Sequence, residues 1–224
     1  MLSLLDLTRA ELQAQMQTWG QPAFRGDQIY AWLHKDLVAS ADGMSNLPKD
    51  LRDRLTREVG GDPLRLVVEI DSRDRLTRKA LFRLPDGATI EVVLMLYNSR
   101  RTVCISTQVG CGMGCTFCAT GLMGIKRNLT PAEIVGQVVA MLNHHAHPEG
   151  RPVNLVFMGM GEPLHNLDHV MAAFRILTDP RGLAIPPRRV TLSTSGLVPG
   201  IARLATFHPR PRLALSLKDR KSVV

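Results

Sequence analysis

Apolar positions along the chain fall into three patterns, and each predicts a different kind of element. In the first part they recur at intervals of three and four, which predicts helices. Phe24, Ile29, Trp32 and Leu33 follow this spacing within residues 24–37. Thr8-Arg9-Ala10-Glu11 has the form of a capping box, in which a hydroxyl accepts from one orphan N–H and a carboxylate reaches back. Leu47-Pro48 followed by Leu51 and Leu55 predicts a further helix, ended by Gly60-Gly61. Residues 1–70 therefore read as a helical N-terminal domain. Next come two strand-like runs, residues 79–84 and 88–96, on either side of Pro85-Asp86-Gly87. Turn chemistry between such runs predicts a β-hairpin, here assigned to residues 71–97.

From there the pattern changes to short apolar runs at 102–106, 153–158, 189–193 and 212–217. Helical stretches separate them, at 131–145, 167–177 and 199–206. Alternating strands and helices predict a parallel sheet of βα units. The first of these helices is well marked: Thr130 can cap it, Pro131 suits its first turn, and Glu133 completes a capping box. Met158, Met160 and Met171 read as core. His144, His145 and His147 read as a solvated helix end.

Composition adds bounds. The chain has 224 residues, 45% apolar and 21% charged, which is ordinary for a globular protein. No apolar run approaches the ~20 residues of a membrane helix. The start, MLSLLDLTRAELQ, lacks a basic region and a cleavage site. A cytosolic protein is expected, with reduced thiols. The net charge of +8 favours a polyanionic partner, although an Arg-rich composition alone would give the same charge. Arg52, Arg54 and Arg57 most simply form a solvated face.

The candidate chemistry lies in CGMGCTFC, which puts Cys111, Cys115 and Cys118 within eight residues of a chain with four cysteines. This run follows the first strand of the parallel sheet, at the end where α/β folds bind ligands. Gly110, Gly112 and Gly114 let the backbone wrap closely. Structural zinc wants four ligands, and Cys104 is a candidate fourth. An iron–sulfur cubane held by three thiolates would keep one iron open. Spacing favours the cluster and leaves zinc in play. Gly159-Met160-Gly161-Glu162 follows the second parallel strand. Taken alone it signals a tight strand–helix turn, where Glu162 could accept from a ligand ammonium.

C-x₃-C-x₂-C after a first strand resembles the radical S-adenosylmethionine (SAM) superfamily. STQVGCGMGCTFCATGLMGIKRNLTPAEIVGQV, VFMGMGEPLHNLD, RRVTLSTSGLVPGI and GQPAFRGDQIYAWLH resemble the bacterial adenine-C2 RNA methyltransferases that act on 23S rRNA and tRNA. The resemblance covers residues 1 to about 217. It implies an α/β fold: a partial radical-SAM (βα) barrel over residues 98–217, preceded by the β-hairpin and by an RNA-binding helical domain. It also implies a [4Fe-4S] cluster on Cys111, Cys115 and Cys118, and SAM contacts from Gly161, Glu162, Ser193, Ser216 and Leu217. Glu91 matches the family's proposed general base. Cys104, thirteen residues later, matches the cysteine that resolves a protein–RNA bond by forming a disulfide. Read without the family, Glu91 is an exposed strand carboxylate and Cys104 a buried strand thiol. Arg127 and Asn128 pin the cluster loop or touch RNA. An electron donor such as flavodoxin or ferredoxin is implied, and a monomer is expected.

Two departures matter. The family continues with more βα units, which carry the methyl-bearing cysteine. Where relatives read Ser-Leu-His, this chain reads Ser216-Leu217-Lys218 and then Asp-Arg-Lys-Ser-Val-Val. The codons GAT-CGG-AAG-AGC-GTC-GTG would encode that ending and match a common sequencing adapter, so 218–224 reads as a non-native tail. On this reading the chain is an inactive fragment of the enzyme. Two alternatives stand beside it: the related adenine-C8 methyltransferase of 23S rRNA, and a non-catalytic zinc-stabilised RNA-binding module.

Overall fold

The structure, a computed structural model, describes residues 3–38, 40–59, 63–144 and 152–216. The N-terminal helices are α1 (Arg9–Thr18), α2 (Phe24–His34) and α3 (Lys49–Glu58). The capping box of α1 forms as expected, with Glu11 N–H donating to Thr8 Oγ1 and Thr8 N–H to Glu11 Oε2 at 2.7 Å. The Gly60-Gly61 stop lies outside the described residues, as do His145, His147 and Leu217 and the proposed tail.

Seven strands make the main sheet: β1 (Arg65–Asp71), β2 (Thr77–Arg83), β3 (Thr89–Tyr97), β4 (Arg100–Cys104), β7 (Val153–Phe157), β8 (Val190–Thr194) and β9 (Arg212–Leu215), in that spatial order. The strands from β1 to β4 pair antiparallel, and those from β4 to β9 pair parallel. One expectation is corrected here: residues 65–70, expected within the helical N-terminal domain, belong to strand β1. The hairpin is continuous with the parallel strands, because β4 joins its ladder to them in one sheet.

Registers fix two rows across the sheet. Leu94, Val103, Leu155 and Val190 stand side by side, and all are buried. This face packs under α5 (Pro131–His144) and α6 (Leu167–Thr178), whose apolar residues close the core. The N-terminal helices join the same core: Leu12, Met16 and Ile29 are fully buried. Tyr30 donates its hydroxyl to the Ile176 carbonyl at 2.9 Å, and Asp6 caps α5 by accepting from Ala132 N–H at 2.6 Å. His34 is buried in this seam against Tyr30. Neither of its ring nitrogens has a hydrogen-bond partner among the described residues.

The opposite row is Val93, Cys104, Val156, Thr191 and Arg212, on a face that the described residues leave largely uncovered. Beyond β4 a small ribbon forms from β5 (Gln108–Gly110) and β6 (Ile125–Asn128), with the cysteine loop and the short α4 (Ala119–Leu122) between its strands. A last helix, α7 (Val198–Ala205), precedes β9.

Candidate functional site

The cysteine loop is shaped by close backbone approach. Gly110 has φ +78°, and a Cβ there would run into the Gly124 carbonyl oxygen, which accepts from Cys111 N–H at 3.0 Å. Only glycine meets both demands. Cys118 N–H donates to Cys115 O at 3.0 Å, which closes a tight turn between the last two thiols.

Cys111, Cys115 and Cys118 all line one cavity of about 300 Å³. Gly159, Gly161 and Glu162 from the loop after β7 complete it, with Ser193 at the end of β8 and Ser216 just past β9. Apart from Leu217, which lies outside the described residues, the sequence-predicted cluster and SAM residues thus meet at the carboxyl end of the parallel strands. Burial pushes the Cys111 thiol up from its ordinary value. The Met113 backbone N–H pulls it back, while Cys115, Cys118 and Glu162 are close enough to push it up further. Among the described residues no three His, Cys, Asp or Glu side chains converge tightly enough to hold one metal ion. Three thiols spread round a cavity suit a multi-iron cluster, in which each thiolate takes a different iron.

Gly161 has φ +103°, and its missing Cβ would lie 2.6 Å from Gln108 Cβ. Glycine is therefore required where the β7 loop crosses the β5 strand. Glu162 is buried, and its carboxylate is mostly committed to the protein. It accepts from Leu164 N–H at 3.1 Å and from both the N–H and hydroxyl of Ser195 at 3.0 Å. A carboxylate has about four acceptor positions, so room for roughly one ligand donor remains. Ser193 Oγ and Ser216 Oγ lie 3.2 Å apart across neighbouring strands.

Two predicted residues stand beside this cavity without lining it. Glu91 points to the uncovered sheet face, half-exposed, with Lys79 Nζ 2.6 Å from its carboxylate. Cys104 shares that face, diagonal to Glu91 across the β3–β4 pair. Burial raises its thiol above the ordinary range, partly offset by a hydrogen bond from Met158 N–H. All four cysteines are free, so no disulfide joins any two of them. The Cys104 sulfur is held at the strand, while the other three face the cavity. Met158, expected in the core, is also corrected: it is exposed and lines the cavity, whereas Met160 and Met171 are buried.

Arg127 is a pin. It donates to Asp86 at 2.7 Å and to both oxygens of Glu133 at 2.8 Å, so the hairpin turn, the ribbon and the start of α5 are tied together. Its guanidinium is driven above its ordinary value by these two carboxylates. Asn128 accepts from Gln108 Nε2 at 2.7 Å.

Sequence reasoning missed a buried polar lattice beneath the cavity. Gln137 accepts from Ser106 N–H at 2.7 Å and donates to Ser106 O at 3.0 Å, acting as one more strand partner where β4 has ended. Ser106 Oγ then donates to Glu91 O and accepts from Met160 N–H, at 2.7 and 2.9 Å. Gln108 accepts from Glu162 N–H at 2.8 Å, and Asn166 donates to Thr107 O and Leu129 O. The available signal was Gln137 itself, a polar residue inside the apolar run IVGQVVAML.

A family model described as the Radical SAM superfamily matches residues 105–220, from the end of β4 through the cavity. The chain belongs to this superfamily. A second model, the ribosomal RNA large subunit methyltransferase N-terminal domain, matches residues 2–59. Among radical SAM relatives, the chain is 48% identical to a probable dual-specificity RNA methyltransferase RlmN of Chloroflexus aurantiacus, over 96% of this chain and 58% of that protein. It is 47% identical to a protein of the same description from Moorella thermoacetica, over 96% and 62%. A radical SAM methyltransferase structure from Sphaerobacter thermophilus superposes with a TM-score of 0.92 at 46% identity, covering 97% of this chain and 64% of that one. The chain spans about three fifths of the length of the curated relatives it matches.

Proposed function

We propose that this chain is the cluster- and SAM-binding part of a methyltransferase acting on carbon 2 of adenine in 23S rRNA and tRNA. The observation that carries the reading is the shared cavity: three thiols and no fourth cysteine, facing Glu162, Ser193 and Ser216. Cys111, Cys115 and Cys118 would hold a [4Fe-4S] cluster. When bound, cluster and SAM together supply the radical chemistry that adenine C2, electron-poor between two ring nitrogens, demands. Glu162 would accept from the ammonium of SAM with its remaining lone pair. The backbone at Gly161 and the hydroxyls of Ser193 and Ser216 would hold the rest, with Leu217 joining by family likeness. Glu91 is assigned as general base for the C2 proton, and its pair with Lys79 must open for that role. Cys104 is assigned to resolution of the protein–RNA bond, and as a protonated thiol it must first lose its proton.

In the same reading the N-terminal helices are an RNA-binding accessory, residues 98–217 the incomplete core, and 218–224 a foreign tail. Flavodoxin or ferredoxin would supply the electron, to a cytoplasmic monomer. Among the described residues no helix is long and apolar enough to cross a membrane.

Anaerobic reconstitution with iron and sulfide tests the reading. The chain is expected to bind about four irons and absorb near ~400 nm, as thiolate-held clusters do, and then to cleave SAM to 5′-deoxyadenosine. Cys115→Ser should lose the iron. Zinc uptake without iron, or a cluster indifferent to SAM, overturns the assignment. A protein extended to the relatives' length should give 2-methyladenosine in digested RNA; 8-methyladenosine would move the chemistry to C8.

A further inference from the structure

One side chain bridges the two halves of the candidate site. Gln108 lies on β5, three residues before Cys111, and the described residues bury it completely. Its stem packs against Gly161, where an added Cβ would come within 2.6 Å of Gln108 Cβ and 2.8 Å of Cγ. Its amide then meets two partners. The Glu162 N–H can only donate, so Gln108 Oε1 faces it, at 2.8 Å. Gln108 Nε2 is left to donate to Asn128 Oδ1 on β6, at 2.7 Å. That orients Asn128 in turn, with its own nitrogen toward the His165 carbonyl at 3.5 Å. One oriented amide therefore joins the ribbon that carries the cysteine loop to the loop after β7.

Glu162 is held at both ends. Gln108 fixes its main chain, while Leu164 N–H and Ser195 fix its carboxylate. Burial is the main cause that raises the Cys111 thiol, and the Glu162 carboxylate adds to it, so the two groups are close. Once the thiols ionise, like charges push the two loops apart. A neutral amide suits the link between them: it supplies an acceptor and a donor at once and adds no further negative charge. Glutamate would add one, and methionine, of similar length, would supply neither bond. A ligand gripped by both the cysteine loop and Glu162 needs their separation kept to within about 0.5 Å.

We propose that Gln108 is a positioning residue of the SAM site, whose amide fixes the separation between the cysteine loop and Glu162 and so sets how tightly SAM is held. This assignment rests on the cluster- and SAM-binding reading. It adds a residue that touches neither cluster nor SAM and acts through Glu162.

SAM titration of the iron-loaded, reduced full chain, read from the electron paramagnetic resonance signal of the cluster, tests it. In Gln108→Met the iron content should match the parent, while the SAM concentration that half-shifts the signal rises about tenfold or more, as for a lost buried hydrogen bond. Leu155→Ala, a core change on the covered face, should lower stability and leave that concentration unchanged. Glu162→Gln weakens SAM directly, so adding Gln108→Met to it should cost less than about threefold more, because both act through one carboxylate. Asn128 is exposed, so Asn128→Ala tests the same link from a position that tolerates change, whether or not Gln108→Met folds; it should raise the concentration about threefold. Unchanged SAM binding in either variant of the link, losses that multiply in the double variant, or iron lost along with SAM overturns the assignment. A parent chain that takes up no iron, or whose cluster is indifferent to SAM, loses the methyltransferase reading instead. The link is then read in the iron-free chain: the Glu162 amide should exchange about tenfold faster in Gln108→Met, and equal exchange removes the link.

Discussion

The two faces of the main sheet differ in what they ask of their residues. On the covered face Leu94, Val103, Leu155 and Val190 form an unbroken apolar row beneath α5 and α6. On the other, the corresponding row is Val93, Cys104, Val156, Thr191 and Arg212, with thiols near one end and guanidinium groups at the other. One face is interchangeable chemistry in a fixed shape. The other is fixed chemistry on a borrowed frame. Stability should respond to the first and ligand binding to the second.

Leu155→Ala offers the hardest test of that division. Leu155 is fully buried, so the change should cost about 2–5 kcal/mol, read as a lowered urea midpoint. A loss below about 1 kcal/mol would mean that the covered face is not the main source of stability.

Acid comes next. Burial lowers the pKa of His34 to about 4, from an ordinary value near 6.5. The native state therefore keeps this ring neutral. Its contribution is complete above about pH 6.5 and is lost as pH falls toward 4. The full shift corresponds to about 3 kcal/mol. His34→Leu should flatten the pH dependence of the urea midpoint in that window, and an unchanged curve would exclude His34 as its source.

Gln137→Leu is expected to cost about 1–3 kcal/mol, because both main-chain groups of Ser106 lose a buried partner. It should also speed amide exchange in residues 105–111 beyond what the global loss explains, which separates a local support from ordinary packing. Ser193→Ala stands at the small end. It should shift stability by less than about 0.5 kcal/mol while weakening SAM binding to the iron-loaded chain. If stability fell as far as for Gln137→Leu, the open face would carry structural weight after all.

The covered face and the βα order were legible because they repeat. Runs such as VNLVF and the capping box at Thr130–Glu133 are local signals, and the latter forms with Thr130 N–H donating to Glu133 at 2.9 Å. The cysteine loop was legible for another reason: its thiols and glycines are adjacent in sequence. What escaped depended on distant partners. The strand β1 was missed because Val67, Val68 and Ile70 are exposed on it, so that pairing with β2 rather than burial makes it a strand. The lattice through Ser106, Gln108 and Gln137 joins residues about thirty to fifty positions apart, and no spacing rule connects them. The partial engagement of Glu162 likewise depends on Ser195, thirty-three residues away.

The placement of Cys104 has one more consequence. With its acidity lowered by burial, this thiol presents less thiolate than an ordinary cysteine, so alkylating reagents should modify it slowly.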